Sequence, residues 1–305
     1  MEDEIMAPQQ RSDIYSRITA DIIAAIEAGG SEFRMPWHHD GSDASRPINV
    51  ASNKAYRGVN ILALWAAATR AGYPGGIWGT YQQWRAKGAQ VRRGESGTTI
   101  VFWKTRQNPR EPEQDSDRDD RRHPVFARAY TVFNSAQVDG YTLPGPAALD
   151  DEERIERAEI FCANLGVEIR HGGASAYYTP TQDFVQIPEF QCFRDATSYY
   201  AVLLHECGHA SGAKHRLDRD LSGRFGSEAY AMEECVVELL SAMICGDLGL
   251  SVEPRPDHAG YIASWLKVLR DDPRAIFTAA SKAQEAADWM HAQQSGAAIE
   301  YHAAA

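Results

Sequence analysis

The amino-acid sequence predicts an α+β protein of two domains, an N-terminal α+β domain and a C-terminal, mostly helical one. Several segments repeat apolar side chains at helical spacing, whereas residues 98–103 and 126–133 are rich in the β-branched and aromatic side chains typical of strands. Glycines and prolines just after residue 140 are typical of a linker. We therefore expect domains over residues 1–142 and 150–305, joined by a linker at 143–149.

The first half is predicted to form three helices and a pair of strands. Their expected bounds, in order, are residues 12–28, 60–71, 80–87, 98–103 and 126–133. Ser12 and Asp13 can cap the first helix, Gly72 ends the second, and Thr80 can cap the third. The two strands are separated by residues 106–124, which are almost entirely polar and predict a mobile loop.

The second half is predicted to be helical, with two short strands near its start. The expected helices cover residues 151–165, 195–212, 227–248, 259–269 and 273–293. Short apolar segments at 167–170 and 184–187 indicate the strands.

Charge is distributed unevenly between the two halves. The net charge of −11 argues against a nucleic-acid partner if it is taken as one number. Residues 30–110, however, contain 12 Lys and Arg against 4 Asp and Glu, whereas residues 150–305 contain 13 against 25. The basic segment is therefore a candidate for phosphate contact, and the acidic half is not.

Composition also predicts the compartment. No segment approaches the roughly 18 consecutive apolar residues of a membrane span, and the acidic N-terminus lacks the features of a signal peptide. The five cysteines, odd in number and without a CxxC pair, are typical of reduced thiols. We expect a soluble, cytoplasmic protein with no membrane partner.

The segment LLHECGHA contains the H-E-x-x-H pattern of zincin metallopeptidases on a predicted helix. Residues four apart lie on one helix face, so His205 and His209 can bind one ion. Glu206, next to the first ligand, is placed to act as general base on a water that the ion activates.

Two candidates compete for the third metal ligand. His215 completes the longer metzincin pattern together with Gly212. Glu234 lies on a predicted helix whose neighbouring residues are almost all apolar, as in the gluzincin arrangement, and a buried carboxylate needs a partner. We favour Glu234, with Glu233 as a further possibility and Glu238 as the carboxylate that orients a ligand histidine.

Two imidazoles and a carboxylate suit one divalent metal ion. Zinc is the expected ion and manganese is the alternative. The presence of Glu206 favours catalysis over a purely structural site, and a peptide or protein is then the substrate class.

The basic segment combines its cations with aromatic residues, as proteins that hold single-stranded nucleic acid do. Trp65 and Trp103, in apolar runs, are assigned to the core. The predicted DNA-binding residues are Trp37, Asn49, Arg57, Asn60, Trp78, Trp84, Lys87, Arg92, Arg93 and Lys104. The two asparagines have an alternative assignment as loop or cap residues.

Over residues 12–293 the chain resembles the ArdC family of plasmid antirestriction proteins, and its first domain resembles the N-terminal half of TraC-type primases. The resemblance rests on short motifs in one order. They include Arg46–Asn49, Tyr56–Asn60, Trp78–Trp84, Val91–Glu95, Val132–Gln137, Ala176–Tyr178, His205–His209, Phe225–Ala231 and Tyr261–Trp265.

The resemblance implies an N-terminal domain that binds single-stranded DNA and a C-terminal metallopeptidase-like domain. It also implies a protein that protects DNA entering a recipient cell by conjugation, and a third metal ligand on the helix that contains Glu234. His215 does not belong to the family pattern, and the insert at 107–123 departs from it. The competing hypothesis is an active zinc metallopeptidase that uses its DNA-binding domain for delivery.

Overall fold

The computed structural model describes residues 8–28, 46–73, 76–105, 125–142, 151–223, 227–250 and 258–294. The described helices are α1 (Pro8–Ala28), α2 (Val59–Ala71), α3 (Tyr81–Ala86), α4 (Asp151–Asn164), α5 (Ala196–Ser211), α6 (Glu228–Leu248), α7 (His258–Asp271) and α8 (Ala275–Ala292). The described strands are β1 (Ile48–Asn49), β2 (Ile77–Gly79), β3 (Gln90–Val91), β4 (Thr98–Thr105), β5 (Val125–Asn134), β6 (Val138–Asp139), β7 (Glu168–His171), β8 (Tyr177–Thr179) and β9 (Phe184–Ile187).

The strands form sheets in both halves of the chain, and the α+β class is confirmed. A four-stranded sheet has the order β1-β2-β5-β4, with β4 and β5 paired antiparallel along the whole of β4. β3 and β6 form a separate antiparallel pair. In the second half β7 and β9 are parallel and β8 is antiparallel at the edge of the order β7-β9-β8.

The predicted helices and the four predicted strands are all present, with ends displaced by a few residues at most. Strong local signals account for this agreement. Thr80 caps α3 with a complete capping box to Gln83, and Gly72 ends α2 in a left-handed conformation at φ 64°. Strands β1, β2, β3, β6 and β8 were not predicted. Two or three residues are too few to show an alternating pattern.

The first and second halves share one hydrophobic core. Apolar residues of α1 and α2, including Ile18 and Leu62, belong to the same buried cluster as Leu240 of α6 and Ala280 of α8. Thr19 of α1 also donates a hydrogen bond to the carbonyl oxygen of Pro273, at 2.7 Å. The packing between the two halves is therefore extensive.

A buried polar group joins the halves at a second place. Arg46 donates hydrogen bonds of 2.9 Å each to Asp247 at the end of α6 and to Gln284 of α8. Gln284 also accepts from the backbone nitrogen of Gly58, at 3.2 Å. Because Arg46 and Asp247 are both almost completely buried, loss of Asp247 would leave the Arg46 charge buried without an ion-pair partner, whereas Asp247 also lies 3.0 Å from Nε2 of His291.

All five cysteines are free thiols, as predicted, and all but Cys192 are buried. Burial raises the pKa of Cys207 to about 12, so its thiol stays protonated near neutral pH. Within the described ranges, no helix combines the length and the apolar character that a membrane span requires.

The predicted linker at 143–149, the polar segment at 106–124 and Trp37 lie outside the described residues.

Candidate metal centre and nucleic-acid interface

Helices α5 and α6 pack against each other and bring the predicted metal ligands together. Gly208 of α5 faces α6, and a β-carbon at this position would lie 2.8 Å from Cγ1 of Val237. Glycine therefore allows the two helices to approach closely one residue before His209.

His205, His209 and Glu234 form a group whose donor atoms all lie within 4.8 Å of one another, so that one metal ion could be held between them. Nε2 of His205 is 3.6 Å from Oε2 of Glu234, and Nε2 of His209 is 3.5 Å from Oε1. His205 and Glu234 are buried, and His209 is partly exposed. Burial by itself raises the pKa of Glu234, but its contacts with both histidines outweigh burial, and the net pKa is lowered.

Glu233 occupies a different environment from its neighbour. Arg219 donates hydrogen bonds of 3.0 and 2.8 Å to its two carboxylate oxygens. Oε1 of Glu233 also lies 3.5 Å from Nδ1 of His209. Arg219 further donates to the carbonyl oxygen of Gly208 at 2.7 Å and to the hydroxyl of Ser211 at 2.9 Å. The Arg219 guanidinium thus fixes Glu233 beside His209 and ties it to the end of α5.

Glu238 lies one helical turn beyond Glu234, on the opposite side of His205. Its Oε2 atom is 3.6 Å from Nδ1 of His205. In each histidine, therefore, Nε2 lies near Glu234 and Nδ1 lies near a second carboxylate. In metal sites, a carboxylate beside the second ring nitrogen fixes the orientation of a ligand histidine. Glu206, the predicted base, is 6% exposed.

His215, the alternative third ligand, does not join this group. Its Nε2 atom lies 3.3 Å from Oδ2 of Asp183, and the side chain is 62% exposed. Asp183 is also bound by Arg216, at 2.6 Å, and accepts a hydrogen bond of 2.8 Å from the hydroxyl of Tyr178. His215 therefore contacts Asp183 and is not one of the three residues whose donor atoms could hold one ion.

The roles of Arg219 and Glu233 were missed or left open by sequence reasoning. Arg219 lies in the polar segment AKHRLDRD, which resembles a solvated exit from a helix. Nothing in the local pattern indicates that this arginine returns to α6, because the contact depends on the path of the loop between the helices.

Two predicted DNA-binding tryptophans are buried, and that prediction is wrong for both. Trp78 and Trp84 are 0% exposed, and the indole of Trp84 donates a hydrogen bond of 2.9 Å to the carbonyl oxygen of Phe133. No base can reach either ring in this fold. Trp65 is in the core as expected, but Trp103, also assigned to the core, is 44% exposed and contacts Tyr15.

The two predicted asparagines have structural contacts. The Asn60 amide donates to the carbonyl oxygen of Val101 and accepts from its nitrogen, both at 2.8 Å, and its side chain is buried. The Asn49 amide donates to the hydroxyl of Tyr56 at 2.9 Å and accepts from the nitrogens of Ala51 and Ser52 at 3.1 Å each. Asn60 lies in the first turn of α2 and joins it to β4, and Asn49 ends β1, so both amides are engaged in contacts that stabilise the fold rather than in base contact.

Four of the five predicted cations are exposed. Arg57 forms an exposed ion pair with Asp288 of α8, and Arg92 pairs with Glu95 at 2.9 Å. Lys87 and Arg93 are exposed. The side chain of Lys104 lies outside the described part of the chain.

Because Trp84 is a core residue, Trp84→Ala is expected to lower the free energy of unfolding by about 3–5 kcal/mol. Urea denaturation of the full chain would measure this loss. The matched control is Trp103→Ala, which removes the same side chain from an exposed position and should cost less than about 1.5 kcal/mol. Equal losses at the two positions would contradict the assignment of Trp84 to the core.

Family models match both halves of the chain. Residues 12–133 match the N-terminal domain of the anti-restriction factor ArdC. Residues 156–282 match a zincin-like metallopeptidase domain.

Related sequences extend over nearly the whole chain. The uncharacterized protein y4eC of Sinorhizobium fredii (strain NBRC 101917 / NGR234) is 71% identical over 293 residues, which are 95% of both proteins. Two DNA primases TraC from Escherichia coli are 37% and 35% identical over 92% and 94% of this chain. The alignments cover only 27% and 20% of those longer primases.

Two crystal structures of the antirestriction ArdC protein from plasmid R388 have similar folds. The metal-free structure has a TM-score of 0.74 and 37% sequence identity, over 92% of this chain and 98% of that one. The Mn(II)-bound structure has a TM-score of 0.74 and 36% identity, over 93% and 99%. With this likeness over 92% of its length, an ArdC-type N-terminal domain and a zincin-like C-terminal domain, the chain belongs to the ArdC family of antirestriction proteins.

Proposed function

We propose that this protein binds single-stranded DNA through its N-terminal half and protects DNA transferred into the cell, with a divalent-metal, peptidase-like second half. The observation that carries the proposal is the likeness to the R388 antirestriction protein over nearly the whole chain. The excess of Lys and Arg over residues 30–110, 12 against 4 Asp and Glu, supports contact with a phosphate backbone in that half. The cytoplasm is the proposed compartment.

The group of His205, His209 and Glu234 fits one divalent metal ion. Two imidazoles and one carboxylate are donors that zinc accepts and manganese tolerates, and the R388 relative has a Mn(II)-bound structure. Zinc is the ion we propose on chemical grounds, with manganese as the alternative. When bound, the ion would supply Lewis acidity and lower the pKa of a coordinated water toward neutrality.

The protein's own residues would then position and deprotonate that water. Glu233 and Glu238 lie beside the Nδ1 atoms of His209 and His205 and would hold the two rings with Nε2 directed at the ion. Glu206 follows His205 on the same helix and would accept the proton. A peptide or protein is the substrate class that this chemistry suits.

The second candidate function is an active metallopeptidase that uses DNA binding for delivery. The observation that favours it is Glu206, because a purely structural metal site has no use for a base next to its ligand. Both candidates share the metal site and the DNA-binding half, and they differ in whether the peptide chemistry is needed for protection.

Single-stranded DNA binding is tested by the dependence of affinity on salt. We expect the full chain to retain a fluorescent oligonucleotide at low salt. The logarithm of the binding constant should fall linearly with the logarithm of salt concentration, by about 0.7 for each phosphate contacted. Fluorescence anisotropy at several salt concentrations measures this slope. Absence of binding at the lowest salt would overturn the proposed DNA-binding function.

A further inference from the structure

An open cleft of about 720 Å³ lies on the surface of the N-terminal half, between the start of α3 and the β3–β6 pair. Aromatic, basic and acidic side chains meet in it. Its lining residues are Tyr81, Gln90, Val91, Arg92, Arg93, Glu95, Phe133 and Asp139. Some of these residues lie in the basic segment of the chain, and others come from β5 and β6, far along the sequence.

Tyr81 is the more exposed of the two aromatic residues that line this cleft, the other being Phe133. Tyr81 is the first residue of α3 and is 43% exposed, in contrast to the buried Trp78 and Trp84 on either side of it in sequence. Its hydroxyl accepts a hydrogen bond of 2.9 Å from the Gln90 amide, which holds the ring in place. A fixed and exposed ring loses little conformational freedom when a planar group stacks on it.

The two arginines of the cleft differ in their surroundings. Arg92 is held by Glu95 at 2.9 Å, donates to the carbonyl oxygen of Ala136 and lies 3.6 Å from Asp139. Arg93 is exposed, and no hydrogen bond or ion pair joins its guanidinium to any residue in the ranges that the structure describes. Arg93 is therefore the cation that can bind a phosphate without first breaking an ion pair.

The charge balance of the cleft identifies the class of ligand. The cleft is lined by two arginines, Arg92 and Arg93, and by two carboxylates, those of Glu95 and Asp139, so its formal charges cancel. The net electrostatic attraction for a polyanion without bases is therefore small. A ligand that joins a planar ring to a single phosphate gains from both Tyr81 and Arg93. That combination is a nucleotide.

We propose that this cleft binds one nucleotide unit of the single strand, with the base stacked on Tyr81 and its phosphate bound by Arg93. The proposal rests on the proposed DNA-binding function and specifies where part of it occurs. It also transfers the stacking role from the buried Trp78 and Trp84 to an exposed ring between them in sequence.

The test compares full-length variants in oligonucleotide binding. Tyr81→Ala should weaken binding of single-stranded DNA about 5- to 150-fold, the loss expected for one stacked base. Tyr81→Phe keeps the ring, so its affinity for single-stranded DNA should be at most about 2- to 3-fold lower than that of the unsubstituted protein. Arg93→Ala should reduce the salt slope by about 0.7, the contribution of one phosphate contact.

Matched controls come from the second half. Tyr177→Ala removes a tyrosine that is 48% exposed on β8, and Arg157→Ala removes an exposed arginine on α4. Neither should change affinity or slope. A second probe is an oligonucleotide of equal length whose nucleotides lack bases, and Tyr81→Ala should bind it as the unsubstituted protein does, since no base is present to stack.

The outcomes separate the two proposals. If the unsubstituted protein binds no single-stranded DNA at low salt, both are overturned. If it binds, but the Tyr81→Ala and Arg93→Ala variants behave like the Tyr177 and Arg157 controls, the cleft is overturned and the DNA-binding function stands. If Tyr81→Ala lowers the affinity for the normal oligonucleotide and for the base-free one by the same factor, the stacking role would also be overturned.

Discussion

Glu234→Ala is expected to abolish metal retention, whereas His215→Ala should leave it unchanged. Glu234 directs its two oxygens at Nε2 of His205 and Nε2 of His209, while His215 contacts Asp183 and stays largely exposed. Loss of a residue that only orients a ligand weakens metal binding about 10- to 100-fold, so loss of a ligand itself should exceed about 100-fold. Elemental analysis of the purified proteins after dialysis measures the ion retained.

The matched control for Glu234 is Glu228→Ala, which removes an exposed carboxylate from the first turn of the same helix. Glu234→Gln is the second variant, because it preserves the shape of a buried side chain while removing its charge. Metal loss in both Glu234 variants, with a normal circular dichroism spectrum, would establish the ligand. Retention by Glu234→Gln combined with loss in His215→Ala would make the site metzincin-like and refute this assignment.

For the proposed peptidase chemistry, Glu206→Gln is expected to reduce cleavage without removing the metal or the proposed DNA binding. A general base contributes about 10²- to 10⁴-fold to rate, so cleavage of a susceptible peptide or protein should fall by that factor. Glu206 is not among the three residues of the metal group, so the ion should be retained. It lies in the second half of the chain, whereas the basic segment lies in the first half, so oligonucleotide affinity should be unchanged. The substitution also preserves side-chain volume at a buried position.

The informative measurement for this variant is survival of plasmid DNA transferred into a restricting recipient cell. If Glu206→Gln protects the DNA as well as the unsubstituted protein does, protection depends on binding and the delivery hypothesis is wrong. If protection is lost while metal content and oligonucleotide affinity are intact, the peptide chemistry is part of the function. Loss of the metal in this variant would instead contradict the role of Glu206 as a base.

The helices and the histidine pair were predictable because their signals are local. The isoleucine spacing in α1 and the apolar run of α6 follow the period of the helix. His205 and His209 are four residues apart on helix α5. The two-residue strands β1, β3 and β6 contain no such period, and partners that are distant in sequence determine them.

Aromatic residues were harder to place. Trp78 and Trp84 have glycine and polar neighbours, yet both are 0% exposed, whereas Trp103 in an apolar run is 44% exposed. Local polarity predicts exposure poorly for such residues, because the elements that pack over a large ring come from elsewhere in the chain. The cleft beside Tyr81 is completed by residues of β3 and β6, which no local pattern around Tyr81 indicates.

Some features of the metal centre could likewise be predicted from the sequence, and others could not. From the sequence alone we could identify the H-E-x-x-H helix and a later helix with Glu233, Glu234 and Glu238, because helical spacing places such residues on known faces. The sequence favoured Glu234 as ligand and Glu238 as the orienting carboxylate, but the place of Glu233, beside His209 and paired with Arg219, required the tertiary structure. It depends on the close contact of α5 with α6 at Gly208 and on the return of Arg219 to Glu233. A distance between two helices is determined by side-chain packing across the whole core, and no local pattern encodes it.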